Sequence, residues 1–290
     1  MRPHIRLGFA DFWPDFEITD NYFTQLLEPH YDIEICDHPD YLIYSCFGKS
    51  FRNHSCLRIF YTGENKRPNF RECDFAVSFD HSAHPRNYRL PLYALYGDVR
   101  QLVKRDFDPE RVLAAKTKFC NFVYSNRKCK ERNRFFELLS KYKRVDAGGR
   151  WLNNIGGRID NKREFIRDYK FTIAFENTTH PGYTTEKIAE PMFEGSLPIY
   201  WGNPLVHLDF NPASFINAYD FANLEELVER VIAVDQDDAL YCRYLLEPWY
   251  HDNQVNHFVD PANVLVNFRR ILESDKTPVG QLKWWRRVAS

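Results

Sequence analysis

The sequence predicts an α/β protein built from two units, each around a parallel sheet. Short apolar runs that read as strands alternate with helical patterns along the chain, which favours parallel sheets. A polar stretch at residues 104–118, KRDFDPERVLAAKTK, separates two such alternations. The length of 290 residues also suits about two domains, at roughly 100–200 residues each.

Residues 5–10 form an apolar run ending at Asp11, as a buried first strand would. Asp20 opens a helical stretch carrying Tyr22, Phe23, Leu26 and Leu27. Residues 31–36 and 41–46 read as strands, with Asp37-His38-Pro39-Asp40 as the turn between them. A strand at 57–61 ends at Thr62-Gly63-Glu64-Asn65, and another spans 75–79. After the polar stretch come a strand at 119–124 and a helix at 131–142 with Phe135, Leu138 and Leu139 on one side. Strands follow at 171–175 and 197–201. Leu224, Leu227, Val228, Val231 and Ile232 mark an amphipathic helix, and Val264 to Leu272 a final one of looser pattern. The expected division is a first Rossmann-like unit at 1–112, a second at 113–270 and a basic, aromatic tail at 271–290. Two such units side by side leave a cleft at the carboxyl ends of their strands.

Lys and Arg number 39 against 40 Asp and Glu, for a formal net charge of −1. That balance argues against a dedicated nucleic-acid binder. Aromatic residues reach 16%, enough for large cores and for lining a ring-binding cleft. The seven cysteines include no C-x-x-C pair, so a reducing compartment fits better than a disulfide framework. The start has no long apolar run, so a soluble cytoplasmic protein is expected. The tail Lys283-Trp284-Trp285-Arg286-Arg287 mixes indoles with cations. It suits either peripheral contact with the inner, anionic membrane surface or packing on the protein.

The densest polar segment runs from Phe175 to Lys187. A strand ends, a Pro-Gly turn follows, and a helix starts at Thr184 or Thr185. A helix N-terminus can hold a phosphate. Lys187 adds full positive charge where the helix dipole prefers an acid, a mismatch that an anionic ligand would repair. Alternatively the helix is simply capped, with Glu186 at the dipole and Lys187 in water. Pro191 removes the N–H that would bond the carbonyl of Lys187, so a local distortion is expected. Arg132 follows a strand and can grip a diphosphate bidentately, or it is one solvated cation among Arg127, Lys128, Lys130 and Arg134. Gly148-Gly149 and Gly156-Gly157 spell no known phosphate loop and read as turns. Glu64, at a strand end, is placed for general-base work or is a loop glutamate. Asp235-Gln236-Asp237-Asp238 matches a loose D-x-D metal pattern but reads as a solvated turn, and Asp80, His81 and His84 lack a demonstrable supporting shell. No Ser or Cys nucleophile signature is present.

The stretch FENTTHPGYTTEKIAEPMFEGSLPIYWGNP at residues 175–204 resembles the α1,3-fucosyltransferases of glycosyltransferase family ten, the bacterial branch especially. YKRVDAGGRWLNNIGG, the SN and RN pairs around Arg132, DFNPASFINAYDF, IFYTGENKRPNF, CDFAVSFD and RLPLY add to the likeness, which covers about two thirds of the chain. The resemblance implies a GT-B architecture, two Rossmann-like domains facing each other across a cleft, with acceptor on the first and GDP-β-L-fucose on the second. It implies an inverting, metal-independent enzyme with no cofactor besides its donor substrate. Carried over, Glu64 becomes the general base, and Arg132 and Lys187 the diphosphate ligands. Asn177, Tyr183 and Glu186 become sugar-nucleotide contacts, Glu186 on a sugar hydroxyl. The implied acceptor is a galactosyl-β1,4-GlcNAc glycan fucosylated at the GlcNAc 3-hydroxyl, with lactose or a type I chain as alternatives. A non-catalytic sugar-nucleotide-binding module of the same fold would also keep the 183–187 segment. Thr184 stands where relatives usually carry valine.

Overall fold

The computed structural model describes residues 1–281. Its contacts divide the chain into two compact units, Met1–Leu95 together with the segment from His257 onward, and Tyr96–Asn256.

In the first unit, β1 (His4–Ala10) leads to α1 (Tyr22–Leu27), β2 (Asp32–Ile35), β3 (Tyr41–Tyr44), β4 (Leu57–Tyr61), β5 (Phe75–Ser78) and β6 (Asn87–Arg89). The strands are parallel in the order β2-β1-β3-β4-β5-β6. Every residue of β4 and β5 is buried, as strands covered on both faces require. The helix α1 starts later than expected, because Asn21 forms its cap: the side chain accepts from the N–H groups of Phe23 and Thr24.

The strands on either side of Asp37-His38-Pro39-Asp40 are not neighbours. Leu7 of β1 pairs with Ile35 on one side and Tyr41 on the other, so residues 36–40 cross over β1. Gly8 permits the crossing, since a Cβ there would stand 2.8 Å from Pro39 Cγ.

The second unit contains α2 (Pro109–Ala114), β7 (Lys118–Phe122), α3 (Lys130–Leu139), β8 (Val145–Ala147), α4 (Lys162–Arg167), β9 (Tyr169–Phe175), α5 (Glu186–Phe193), β10 (Leu197–Trp201), β11 (Ile216–Asn217), α6 (Leu224–Gln236) and α7 (Asp238–Leu246). Its parallel sheet has the order β11-β10-β9-β7-β8. Both sheets therefore place their first strand between their second and third. Ligands of open α/β sheets bind outside the carboxyl ends of the strands at that reversal. In the second unit the reversal lies between β7 and β9.

The final helix α8 (Pro261–Leu272) corrects the expected domain boundaries. It packs in the first unit, where Phe268 lies 5.7 Å from Phe23 and the Leu272 carbonyl accepts from Tyr41 Oη at 2.6 Å. Buried Asp74 fastens the following residues, accepting from Val279 N and Arg58 N at 2.8 Å each. The polar stretch after residue 104 belongs wholly to the second unit, because Asn253 brackets Lys104 with two hydrogen bonds. Polar composition marked an exposed surface there, not a boundary. Asp235 also differs from expectation. It closes α6 as a buried acceptor for Lys143 and Tyr142, while Asp237 caps α7. Among the described residues no helix is long and apolar enough to cross a membrane. The Trp284-Trp285 tail lies outside the described residues.

Candidate active site

Arg132 sits in the first turn of α3, directly after β7, and its side chain is 0% exposed. It is no solvated cation. Nη1 donates to Asn177 Oδ1 at 2.9 Å, more weakly to the Phe175 carbonyl at 3.5 Å, and Nη2 donates to the Asn126 carbonyl. The guanidinium carbon lies 3.9 Å from the centroid of the Tyr124 ring, close enough for cation–π attraction. Nε has no acceptor among the described residues. All these partners are neutral. A buried cation without a carboxylate is costly, by several kcal/mol, unless an anion joins it. It stands at the switch point between β7 and β9.

The glycine pair supports this arrangement. A Cβ on Gly149 would fall 2.1 Å from the Tyr124 carbonyl oxygen, so only glycine lets the 148–151 loop lie on the end of β7. There Trp151 N donates to the Tyr124 carbonyl at 2.9 Å.

Lys187 lies in the first turn of the second cation-bearing helix. Helix α5 begins at Glu186 after the cap residue Thr185 and continues through Pro191 to Phe193. Lys187 does not point to water; its side chain is only 11% exposed. Nζ donates to Thr185 Oγ1 at 2.9 Å and Glu186 Oε1 at 3.1 Å, and lies 3.5 Å from Glu176 Oε2. The dipole mismatch read from sequence is thus met internally, by two carboxylates. Burial opposes the ammonium charge, but Glu186 and Glu176 outweigh it and hold the Lys187 pKa well above its ordinary value. For Glu186, burial is outweighed by Lys187 and Lys162, and its carboxyl is pushed down to about 2. Glu176 is raised, chiefly by burial.

Tyr183 is buried in the turn before α5, its N–H donating to the His180 carbonyl at 3.1 Å. Next to it, the Thr184 hydroxyl donates to Asp209 at 2.6 Å and accepts from Asn203 Nδ2 at 2.9 Å. Asn203 Oδ1 also accepts from Gly182 N at 2.7 Å. The Thr184 hydroxyl therefore has its own buried partners. Asn177, Tyr183, Glu186, Lys187 and Arg132 all lie in the second unit, around the ends of β7 and β9. Glu64 belongs to the first unit, past the carboxyl end of β4 and exposed. Its backbone is set by Thr62, whose Oγ1 accepts from Glu64 N at 3.0 Å. Gly63 before it presses on Leu92, 2.7 Å from where a Cβ would be. Sequence reasoning does not single out Glu176, Thr185 or Tyr124 as site residues. For Glu176 the available signal is its place at a strand end beside Asn177.

Two units, each an open parallel sheet of the same strand order, have the architecture of the GT-B glycosyltransferases. A family model described as the α-(1,3)-fucosyltransferase FucT N-terminal domain matches residues 7–96, and glycosyltransferase family 10 (fucosyltransferase) C-term matches residues 113–285. The chain is 31% identical over 329 aligned residues to α-(1,3)-fucosyltransferase FucT of Helicobacter pylori, covering 94% of this chain and 67% of that protein. It is 32% identical over 136 residues to 3-galactosyl-N-acetylglucosaminide 4-α-L-fucosyltransferase FUT3 of Bos taurus, covering 46% of this chain and 37% of that one. A crystal structure of an α1,3-fucosyltransferase with GDP-fucose matches with a TM-score of 0.80 at 28% identity, over 95% of this chain and 92% of that one. The chain belongs to glycosyltransferase family 10, the fucosyltransferases.

Proposed function

We propose that this protein transfers L-fucose from GDP-β-L-fucose to the 3-hydroxyl of GlcNAc in N-acetyllactosamine-type glycans, with inversion and a Lewis X-type product. The observation that carries the donor half is Arg132, a fully buried cation with neutral partners at the strand-order reversal. A diphosphate is the anion such a place accommodates. The similar α1,3-fucosyltransferase crystallised with GDP-fucose supports the choice of donor.

The acceptor hydroxyl attacks the anomeric carbon from the face opposite GDP. The bond from that carbon to the diphosphate oxygen breaks, and its electron pair leaves on GDP. Arg132, Lys187 and the α5 N-terminus stabilise the charge that grows there, a preorganised electrostatic role. With these positive groups in place the site need not recruit Mg²⁺. Glu64 takes the hydroxyl proton late, because a glutamate is a weak base toward a free alcohol. Asn177 and Tyr183 contact the sugar nucleotide, and Glu186 one of its sugar hydroxyls.

On the acceptor side, the carboxyl end of β1 carries an aromatic group suited to a pyranose ring. Phe12 and Phe16 stack at 3.9 Å, Trp13 meets Phe16 edge-on at 5.3 Å, and Trp13 meets Phe47 at 6.4 Å. Phe47 is 48% exposed. Asp11 ties the two loops together, accepting from Ser50 and Phe51 while its carbonyl accepts from Phe47 N. The seven cysteines are free, which supports a cytoplasmic location.

Mass and linkage analysis of products from GDP-fucose with N-acetyllactosamine, lactose and a type I chain tests this function. A 1,3-linked fucose on GlcNAc is expected. A 1,4 linkage, transfer to glucose only, or GDP binding without product would each replace it.

A further inference from the structure

We propose that Glu176 is a positioning residue of the donor site: through Thr185 it holds the Lys187 ammonium over the first turn of α5. The assignment rests on the donor function proposed above.

A lysine in a first helical turn ordinarily extends into water, where its long side chain keeps its rotamer freedom. Here it is folded back and buried, so something must hold it. Glu186 is one partner, but it is the adjacent residue on the same helix. The other support comes from outside the helix. Thr185 Oγ1 donates to Glu176 Oε2 at 2.7 Å, which leaves a lone pair on the threonine oxygen to accept from Lys187 Nζ at 2.9 Å. The second carboxylate oxygen accepts from Thr185 N at 2.8 Å, fixing the residue that precedes the helix. Glu176 therefore sets both the backbone entry of α5 and the direction of the lysine.

The surroundings are shaped to keep this carboxylate. Glu176 is completely buried. Gly202 lies against it with φ +143°, and a Cβ there would stand 2.4 Å from Glu176 Cβ and Cγ. A cap for α5 alone would need only the Thr185 hydroxyl bonded to its own helix, and that bond is absent. The hydroxyl instead joins the relay from Lys187 to Glu176. Asn177, the next residue, acts in parallel, its Oδ1 orienting Arg132. Successive side chains of extended chain leave on opposite sides. One dipeptide at the end of β9 thus aims two cations. When the diphosphate arrives, Lys187 exchanges Glu186 for a phosphate oxygen while the Glu176–Thr185 support stays behind it.

The groups facing Lys187 are Glu176 past β9, Glu186 on α5, Tyr183 in the preceding turn and Tyr124 past β7, with Lys162 of α4 acting on Glu186. Removing the charge of Glu176 leaves one carboxylate to hold the ammonium, so Lys187 loses its proton at lower pH.

The experiment compares Glu176→Gln and Thr185→Val with the wild-type chain, measuring GDP release from GDP-fucose with acceptor across pH, GDP affinity by calorimetry, and thermal unfolding. For Glu176→Gln, kcat/KM for GDP-fucose should fall about 10- to 100-fold, and the alkaline loss of activity should begin at lower pH. Thr185→Val keeps the charge and breaks the relay, so it should lose activity in the same direction without the acid-ward displacement. Folded variants with wild-type kcat/KM and an unmoved alkaline limb overturn the assignment. So does an unstable Glu176→Gln beside a silent Thr185→Val, which would make the residue merely structural. A wild-type chain that binds no GDP refutes the donor-site function itself, a separate failure.

Discussion

The guanidinium of Arg132 lies over the Tyr124 ring, 3.9 Å from guanidinium carbon to ring centroid. The ring restrains the fork from one side, and Asn177 fixes its rotation through the 2.9 Å bond to Nη1. Lysine can reproduce neither restraint. Arg132→Lys should therefore weaken GDP binding about 10- to 100-fold, the loss of one charge-assisted hydrogen bond at ~1.5–3 kcal/mol. Calorimetric titration with GDP checks this, and unchanged affinity removes Arg132 from the diphosphate site.

Glu64 stands in a different unit from the donor residues. Its removal should leave the donor site intact. Glu64→Ala should lower kcat by roughly 10²–10⁴ while GDP affinity stays within about twofold of wild type. Near-normal turnover would assign the proton transfer elsewhere.

Gly202 combines a positive φ of +143° with a Cβ position 2.4 Å from Glu176. Backbone strain and overpacking both oppose any side chain. Gly202→Ala should destabilise the protein by about 2–4 kcal/mol, measured by urea unfolding. A change below about 0.5 kcal/mol, on the order expected at an open surface, would mean the close approach is not maintained in solution.

Glu186 gives a pH signature. Its folded pKa is about 2 against an ordinary 4.5, so its ionised form is favoured by folding. That contribution is fully present above the ordinary value and is lost as pH falls toward 2. The stability gap between wild type and Glu186→Gln, on the order of 2–3 kcal/mol at neutral pH, should be constant from about pH 7 to 5 and narrow below that. Chemical denaturation at stepped pH measures it; a gap that ignores pH contradicts the Lys187–Glu186 pairing.

Trp13 and Phe47 meet edge to face at 6.4 Å at the carboxyl end of the first sheet. Trp13→Ala should raise KM for N-acetyllactosamine about three- to tenfold, equivalent to ~0.5–1.5 kcal/mol of aromatic contact, with KM for GDP-fucose unaffected. An equal rise in both would indicate a fold defect instead of an acceptor subsite.

Much of this molecule is legible along the chain, because the signals are local. Apolar runs such as 57–61 and 197–201 are strands because fully covered parallel strands need continuous apolar residues. Arg132 and Lys187 are recognisable as candidate anion ligands from their places after a strand and at a helix start. The DFAVS and FTIAF segments likewise emerge as interior strands.

Other features depend on where distant segments meet. No local pattern shows that residues 36–40 cross β1 over Gly8, or that α8 returns to the first unit through Phe23 and Tyr41. Along the chain Lys187 reads as a cation that either awaits an external anion or points to water, because Glu176 is eleven positions earlier and its approach requires β9 and α5 to converge. Nothing local shows that Gly202, just after β10, lies against that carboxylate. Periodicity and helix-end chemistry act over a few residues and are written in order along the chain. The neighbours of a buried charge are chosen by the paths of whole strands, and only the assembled sheet decides which carboxylate stands beside which cation.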